Sequence, residues 1–206
     1  MGDTEGEKPL LNSEKDKNIQ DDEIAAVSAT VATARLRRSR GYGYEHRLVE
    51  KINAIPGWQA RRLGGSSTGL PDIVATNNDK SILLTIEAKS GVGGALYVPP
   101  DQIERCELVD KMFSLYKERH IILAFKFLSK KRVVRKGLKA YEPRDRHEFY
   151  FDAKSVRYYL MQKPDAMVKC TYGGNTSMIR PFMRGEQMFG LPQYVMPFQI
   201  DGKKKK

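Results

Sequence analysis

The chain has 206 residues, a net charge of +11 and a sequence pI near 9.6, with the charge unevenly spread: residues 1–34 hold eight acidic and three basic side chains, net −5, which leaves +16 on the remainder. A body that basic selects polyanionic partners, nucleic acid ahead of anionic membrane. No apolar run nears the ~20 residues of a membrane span, the N-terminus is acidic and unlike a signal peptide, and two cysteines without a CxxC point away from a disulfide framework or a zinc site.

From Met1 to about Asp22 the composition is polar and mixed in charge, which predicts disorder. Residues 24–40 read either as an Ala-rich helix ending in a basic cluster or as a basic arm. Order begins at "GYGYEHRLVEKINAIPG", where Leu48, Val49, Ile52 and Ile55 recur at helical spacing and Pro56-Gly57 stops the run. "WQARRL" alternates like a strand, "GGSSTGLP" is a turn, and "DIVAT" and "SILLTIEAK" are strands joined by the polar hairpin "NNDK". "PPDQIERCELVDKMFSLYKER" reads as a helix with proline at its start and Ile103, Cys106, Val109, Phe113 and Tyr116 on one stripe. "HIILAFKFL" is a buried strand, "SKKRVVRKGLK" a basic hairpin or loop, "EFYF" an edge strand, and "DAKSVRYYLMQK" a short helix capped by Asp152.

The order α-β-β-β-α-β, with a small β-α appendage, predicts an α/β domain with a mixed central sheet flanked by helices. Its expected bounds are 41–165, after a disordered acidic extension (1–40) and before an irregular C-terminal extension with a basic tail (166–206). The Phe and Tyr content of that last segment requires part of it to pack on this domain or on a second subunit.

Within this plan three charged residues stand on what reads as buried β-structure. Successive strand side chains alternate faces, so Glu87 and Lys89 share a side and Ala88 points the other way. Asp72, across the hairpin, can face the same spot. Carboxylates that converge in a low-dielectric cleft repel unless a cation joins them, and oxygen clusters of this kind suit Mg²⁺ or Mn²⁺. With an ammonium alongside, that is equipment for phosphodiester hydrolysis. A turn cap at Asp72 and a surface Glu87–Lys89 ion pair would be the plain alternative. Glu45 on the first helix, with Arg61/Arg62 and Ser66/Ser67 just before Asp72, weighs toward chemistry. The three histidines, 46, 120 and 147, show no ligand spacing and read as structural or surface residues. Trp58 and Tyr97 read as core or rim aromatics.

These pieces resemble the PD-(D/E)xK nuclease superfamily and, within it, the archaeal Holliday junction resolvases. The resemblance rests on "GYGYEHRLVEKI", "RRLGGSS", the pair "PDIVA" and "IEAKS", and "YVPPDQIE", over about 41–128. It implies a restriction-endonuclease-like fold, with Glu45, Asp72 and Glu87 as metal-site acids and the Ala88 carbonyl as a further ligand. Lys89 would hold the attacking water or the phosphate. Arg61 or Arg62 would contact that phosphate, and Ser66, ahead of Ser67, would act in the loop. Gln102 would either contact the site or begin its helix. The acidic extension, the basic loop 129–139 and the tail after 165 have no counterpart in the compact resolvases. The density of charge in that loop, at Lys130, Lys131 and Arg132, favours phosphate contact.

The resemblance implies a Mg²⁺-dependent endodeoxyribonuclease that cuts four-way junctions in branched double-stranded DNA, as a homodimer matching the two-fold substrate. Such a protein needs no small-molecule cofactor, has no membrane partner, and works inside the cell on DNA, in the cytoplasm. Two alternatives stay open on the sequence: a nuclease of the same core acting on linear duplex or repair intermediates, and a non-catalytic basic nucleic-acid-binding protein.

Overall fold

The computed structural model describes residues 42–64, 69–128, 130–135, 137–143, 147–154, 166–179, 187–188 and 190–201. The N-terminal extension, Ser66 and Ser67, most of the helix expected from Asp152, and the terminal lysines lie outside the described residues. A helix over 42–53 (α1) follows the expected periodicity, with Leu48 and Ile52 fully buried. It ends at Pro56-Gly57, where Gly57 takes φ +79°, a conformation that costs glycine little.

Five strands form the central sheet: β1 (Trp58–Arg62), β2 (Ile73–Asn77), β3 (Ile82–Gly91), β5 (Glu118–Phe127) and β8 (His147–Asp152), in the order β1-β2-β3-β5-β8. Only β3 and β5 run parallel; the other neighbours are antiparallel. A crossover is therefore needed between β3 and β5, and α2 (Pro100–Met112) lies within it. The sheet is apolar on both faces. Ile73, Ala75, Leu84, Ile86, Ile122 and Ala124 pack with Leu48 and Ile52 on the α1 side. Ile121, Leu123, Phe125 and Phe127 pack with Ile103 and Cys106 on the α2 side.

The mixed sheet flanked by helices is as expected, with three differences. The helix expected over 99–119 stops at Met112, and Phe113 and Tyr116 leave its stripe. Glu118 pairs with Ile82 at the start of β5, so strand pairing claims residues that local propensity assigned to helix. A strand not anticipated, β4 (Ala95–Val98), precedes α2. The segment expected to be irregular holds β9 (Met167–Thr171), β10 (Thr176–Ile179) and β11 (Gln187–Met188), which join β4 in a second sheet, β11-β10-β9-β4.

That correction has a simple cause. Ala166, Val168, Cys170, Met178 and Leu191 are buried against β5 and α2, so strands that lie 70 to 76 residues along the chain from their register partners in β4, and beyond, complete the core. Among the described residues, part of the tail thus packs on this domain: Tyr194 and Phe198, the latter in the short helix α3 (Pro197–Asp201), pack on the α1 side, where Met196 is fully buried. The backbone just before α3 also covers the free edge of β8, through Asp152 N–H to Pro192 O and Tyr194 N–H to Tyr150 O, both 2.9 Å. At the opposite edge the Asn53 amide pairs with both backbone groups of Ala60 on β1.

The basic segment after β5 forms a separate two-stranded ribbon, β6 (Lys130–Arg135) and β7 (Leu138–Pro143), a hairpin as one of the two sequence readings had it.

Candidate active site

Register decides which residues meet. Pairing of Ile73 with Ile86 sets Asp72 next to Glu87 at the mouth of the β2–β3 ladder. Glu87 lies beside Leu123 on the α2 side of β3, whereas Ala88 lies beside Ala124 on the α1 side. The expected alternation of Glu87, Ala88 and Lys89 is what the strand shows.

Asp72 is fixed by its Oδ2, which accepts the Ala88 N–H at 2.8 Å, and by its carbonyl, which accepts the Leu63 N–H. The Lys89 ammonium donates to Glu87 Oε1 at 2.7 Å. Glu87 is only 2% exposed, and its Oε2 is enclosed with no hydrogen-bond partner among the described residues. The Asp72 carboxyl is a close neighbour of the Glu87 side chain, and two ionised carboxylates offer each other no donor. Burial drives the Glu87 carboxyl up to about 7; Lys89 opposes this and the neighbouring Asp72 charge adds to it. A buried carboxylate oxygen without a donor, beside a second carboxylate, is a place that a proton or a cation completes.

Glu45 comes from α1. Burial raises its carboxyl from the usual range, the Asp72 charge raises it further, and Arg62 opposes both. Arg62 Nε donates to Glu45 Oε2 at 2.8 Å, and the guanidinium lies 4.6 Å from the centre of the Tyr42 ring. Both arginines are exposed, but Arg62 is held on two sides, by Glu45 and by the Tyr42 ring. Sequence reasoning left these two arginines equivalent; strand alternation and Glu45 separate them.

Among the described residues no three His, Cys, Asp or Glu side chains group closely enough to hold one ion. Glu45 is bonded to Arg62 and is not gathered with Asp72 and Glu87 as a third ligand. The pair itself fits a hard divalent cation: two carboxylates, one with a bare buried oxygen, and room in such a coordination sphere for water and phosphate oxygens.

Gln102 stands in the first turn of α2, half-buried, with an enclosed, unbonded Oε1. Ser66 and Ser67 fall outside the described residues, and for Lys130, Lys131 and Arg132 only the backbone course is described. His46 bridges to exposed Glu50, His120 pairs with Asp152 at 2.7 Å, and His147 packs on Tyr172, none of them at the site. Trp58 is in the core and Tyr97 on the rim.

Two participants went unnoticed in the sequence. Cys106, fully buried on α2, lies within the field of Glu87 and Asp72; burial first, then those two charges, hold its thiol protonated. Lys126, 2% exposed, bonds Glu148 Oε1 at 2.6 Å, and Glu148 Oε2 accepts from Lys51 and the Tyr150 hydroxyl. This cluster ties α1 to β5 and β8. A single lysine inside "HIILAFKFL" was the available signal.

These observations describe a basic α/β protein with a buried, partly unsatisfied acidic pair beside a lysine where β2 meets β3. A family model described as archaeal Holliday junction resolvase (Hjc) matches residues 36–156, more than half of the chain. The protein belongs to the archaeal Holliday junction resolvase family, a family of nucleases. No curated protein matches it. Among solved structures it is similar to one from Archaeoglobus fulgidus, described as Hjc, a Holliday junction resolvase from an archaeal hyperthermophile. Identity there is 24%, covering 58% of this chain and 88% of the other, with a TM-score of 0.35.

Proposed function

We propose that this protein resolves four-way DNA junctions by divalent-metal-dependent hydrolysis of a phosphodiester, with Asp72, Glu87 and Lys89 at the reacting centre. The observation that carries the reading is the unsatisfied buried Glu87 Oε2, with the Asp72 carboxyl as a close neighbour and Lys89 bonded to Oε1. Asp72, Glu87 and the Ala88 carbonyl would hold Mg²⁺, or Mn²⁺ in its place. The bound cation supplies the positive charge that polarises a phosphodiester and makes water a competent nucleophile near neutral pH.

The residues of the chain do the rest. The Ala88 N–H fixes the Asp72 carboxylate beside Glu87. Lys89 holds an ammonium where it offers a donor to a phosphate oxygen or to the attacking water. Arg62, braced by Glu45 and Tyr42, presents a guanidinium for the scissile phosphate, so Glu45 works through Arg62. Branch shape and phosphates, more than base sequence, would then select the substrate. A junction presents two cut strands related by two-fold symmetry, which suits a homodimer. Leu108 and Met112, one turn apart on α2, and Leu115 just after it are exposed apolar residues that a second copy would cover. A DNA substrate places the protein inside the cell.

The test is incubation of wild type, Asp72→Asn and Glu87→Gln with labelled four-way junction and linear duplex, each with and without Mg²⁺. Both variants are expected to bind the junction and leave it uncut. Normal cutting by either one refutes the site assignment, and cutting of duplex in preference to junction refutes the substrate.

A further inference from the structure

β5 and β8 are adjacent antiparallel strands paired to their last residues, Phe127 with His147. Two residues would suffice to connect them. The chain instead places 19 residues there, 128–146, with eight Lys or Arg and two acidic side chains, a net +6 out of the chain's +11. Within them β6 and β7 pair with each other and belong to neither larger sheet.

The ribbon leaves the sheet at the end of β3 that carries Glu87 and Lys89. β3 and β5 run parallel, Phe127 is the register partner of Gly91, and Leu128 N–H donates to Gly91 O at 2.6 Å. Gly91 lies two residues beyond Lys89, about 7 Å along the strand. The root of the ribbon is therefore one strand across and two residues along from the reacting centre.

Its two faces differ. Directly opposed residues of an antiparallel pair share a face, and faces alternate along each strand. The register puts Lys130, Arg132 and Lys139 on one face with Tyr141, Val134 and Pro143, and no acidic residue. The other face holds Lys131 opposite Glu142, Val133 opposite Ala140, and Arg135 opposite Leu138. By register and residue type, the first face carries three basic residues and no acidic one, and the second two basic residues and one acidic.

We propose that β6–β7 is a DNA-gripping arm whose Lys130/Arg132/Lys139 face lies along the groove of the duplex arm next to the cut strand. The assignment rests on the nuclease reading for its ligand. A two-stranded ribbon fits the ~12 Å major groove. Six residues at ~3.4 Å each reach about 20 Å, or about six base pairs from the cleavage position.

The experiment measures junction binding in EDTA, where nothing is cut, by fluorescence anisotropy from 50 to 300 mM salt. Wild type is compared with the variant K130Q/R132Q/K139Q and with the opposite-face variant K131Q/R135Q. Three lost phosphate contacts lower the slope of log K against log salt by about 2.7, whereas the opposite-face variant moves it by less than about 1. Hydroxyl-radical footprinting reads the reach: protection about six base pairs out from the cut vanishes in the triple variant alone. An unchanged slope in the triple variant, or the same loss per charge on both faces, overturns the assignment. Circular dichroism and thermal unfolding matching wild type show that the variants are folded. Absence of cutting by wild type with any divalent ion, alongside the face-specific loss of binding, would sink the nuclease reading and leave the arm standing. Normal cutting with an unmoved slope would do the reverse.

Discussion

Glu87→Gln should stabilise the protein while it abolishes cleavage. Burial holds the Glu87 carboxyl at about 7 in the folded protein, against an ordinary value near 4.5, so the ionised form is disfavoured by roughly 2.5 pH units. At 1.36 kcal/mol per unit this amounts to about 3 kcal/mol. The folded pKa lies above the unfolded one, so the contribution is fully present below about pH 4.5 and is lost as pH rises through about 7. Glutamine keeps the acceptor for Lys89 and never ionises. In EDTA at pH 8 the variant should unfold about 3 kcal/mol harder than wild type, or roughly 6–12 °C higher for a chain of this size, and the two should converge near pH 4.5. Urea unfolding followed by the fluorescence of the single tryptophan, Trp58, measures both. Millimolar Mg²⁺ should raise the stability of wild type and leave the variant unmoved. Parallel stability–pH curves, or a variant no more stable at pH 8, would refute the claim that Glu87 is held ionised at a cost for the sake of function.

Three other perturbations test different parts of the structure. Glu148→Gln leaves buried Lys126 without its anion and should cost about 3–5 kcal/mol in urea unfolding. In wild type, burial works against the ionised Glu148, but bonds from Lys126, Lys51 and Tyr150 prevail and bring its carboxyl to about 2. Its contribution is therefore present above about pH 4.5 and disappears as pH falls toward 2, a loss that the variant should not show. Arg62→Ala removes a charge-assisted bond to Glu45 and should lower kcat/KM on junctions about 10- to 100-fold, whereas Arg61→Ala should chiefly reduce the salt slope of binding by about 0.9. Gly174→Ala sets a Cβ against the Phe149 ring at a φ of +79° and should cost about 2–3 kcal/mol in the midpoint of denaturation.

Much of the sheet was legible because strands announce themselves locally. Alternation and the Asn77–Lys80 turn place β2 against β3, and that pairing alone predicts Asp72 near Glu87 with Lys89 on the same side. Pro99-Pro100 marks the start of α2, and the near-continuous apolar run marks β5. The end of α2 was not legible, since Phe113–Lys117 suit a helix and only the pairing of Glu118 with Ile82 ends it.

The sequence by itself determined the charge, the central hairpin and the acids it brings together, because those acids lie on two adjacent strands joined by one short turn. Tertiary structure alone decided which arginine Glu45 braces, that Lys126 is buried on Glu148, and that Met167–Ile179 joins β4 to complete the α2-side core. Those contacts join residues 17 to 76 positions apart and on elements that no single turn connects. Their partners are chosen by shape and by the need to pair buried polar groups, and no short-range period in the chain encodes that choice.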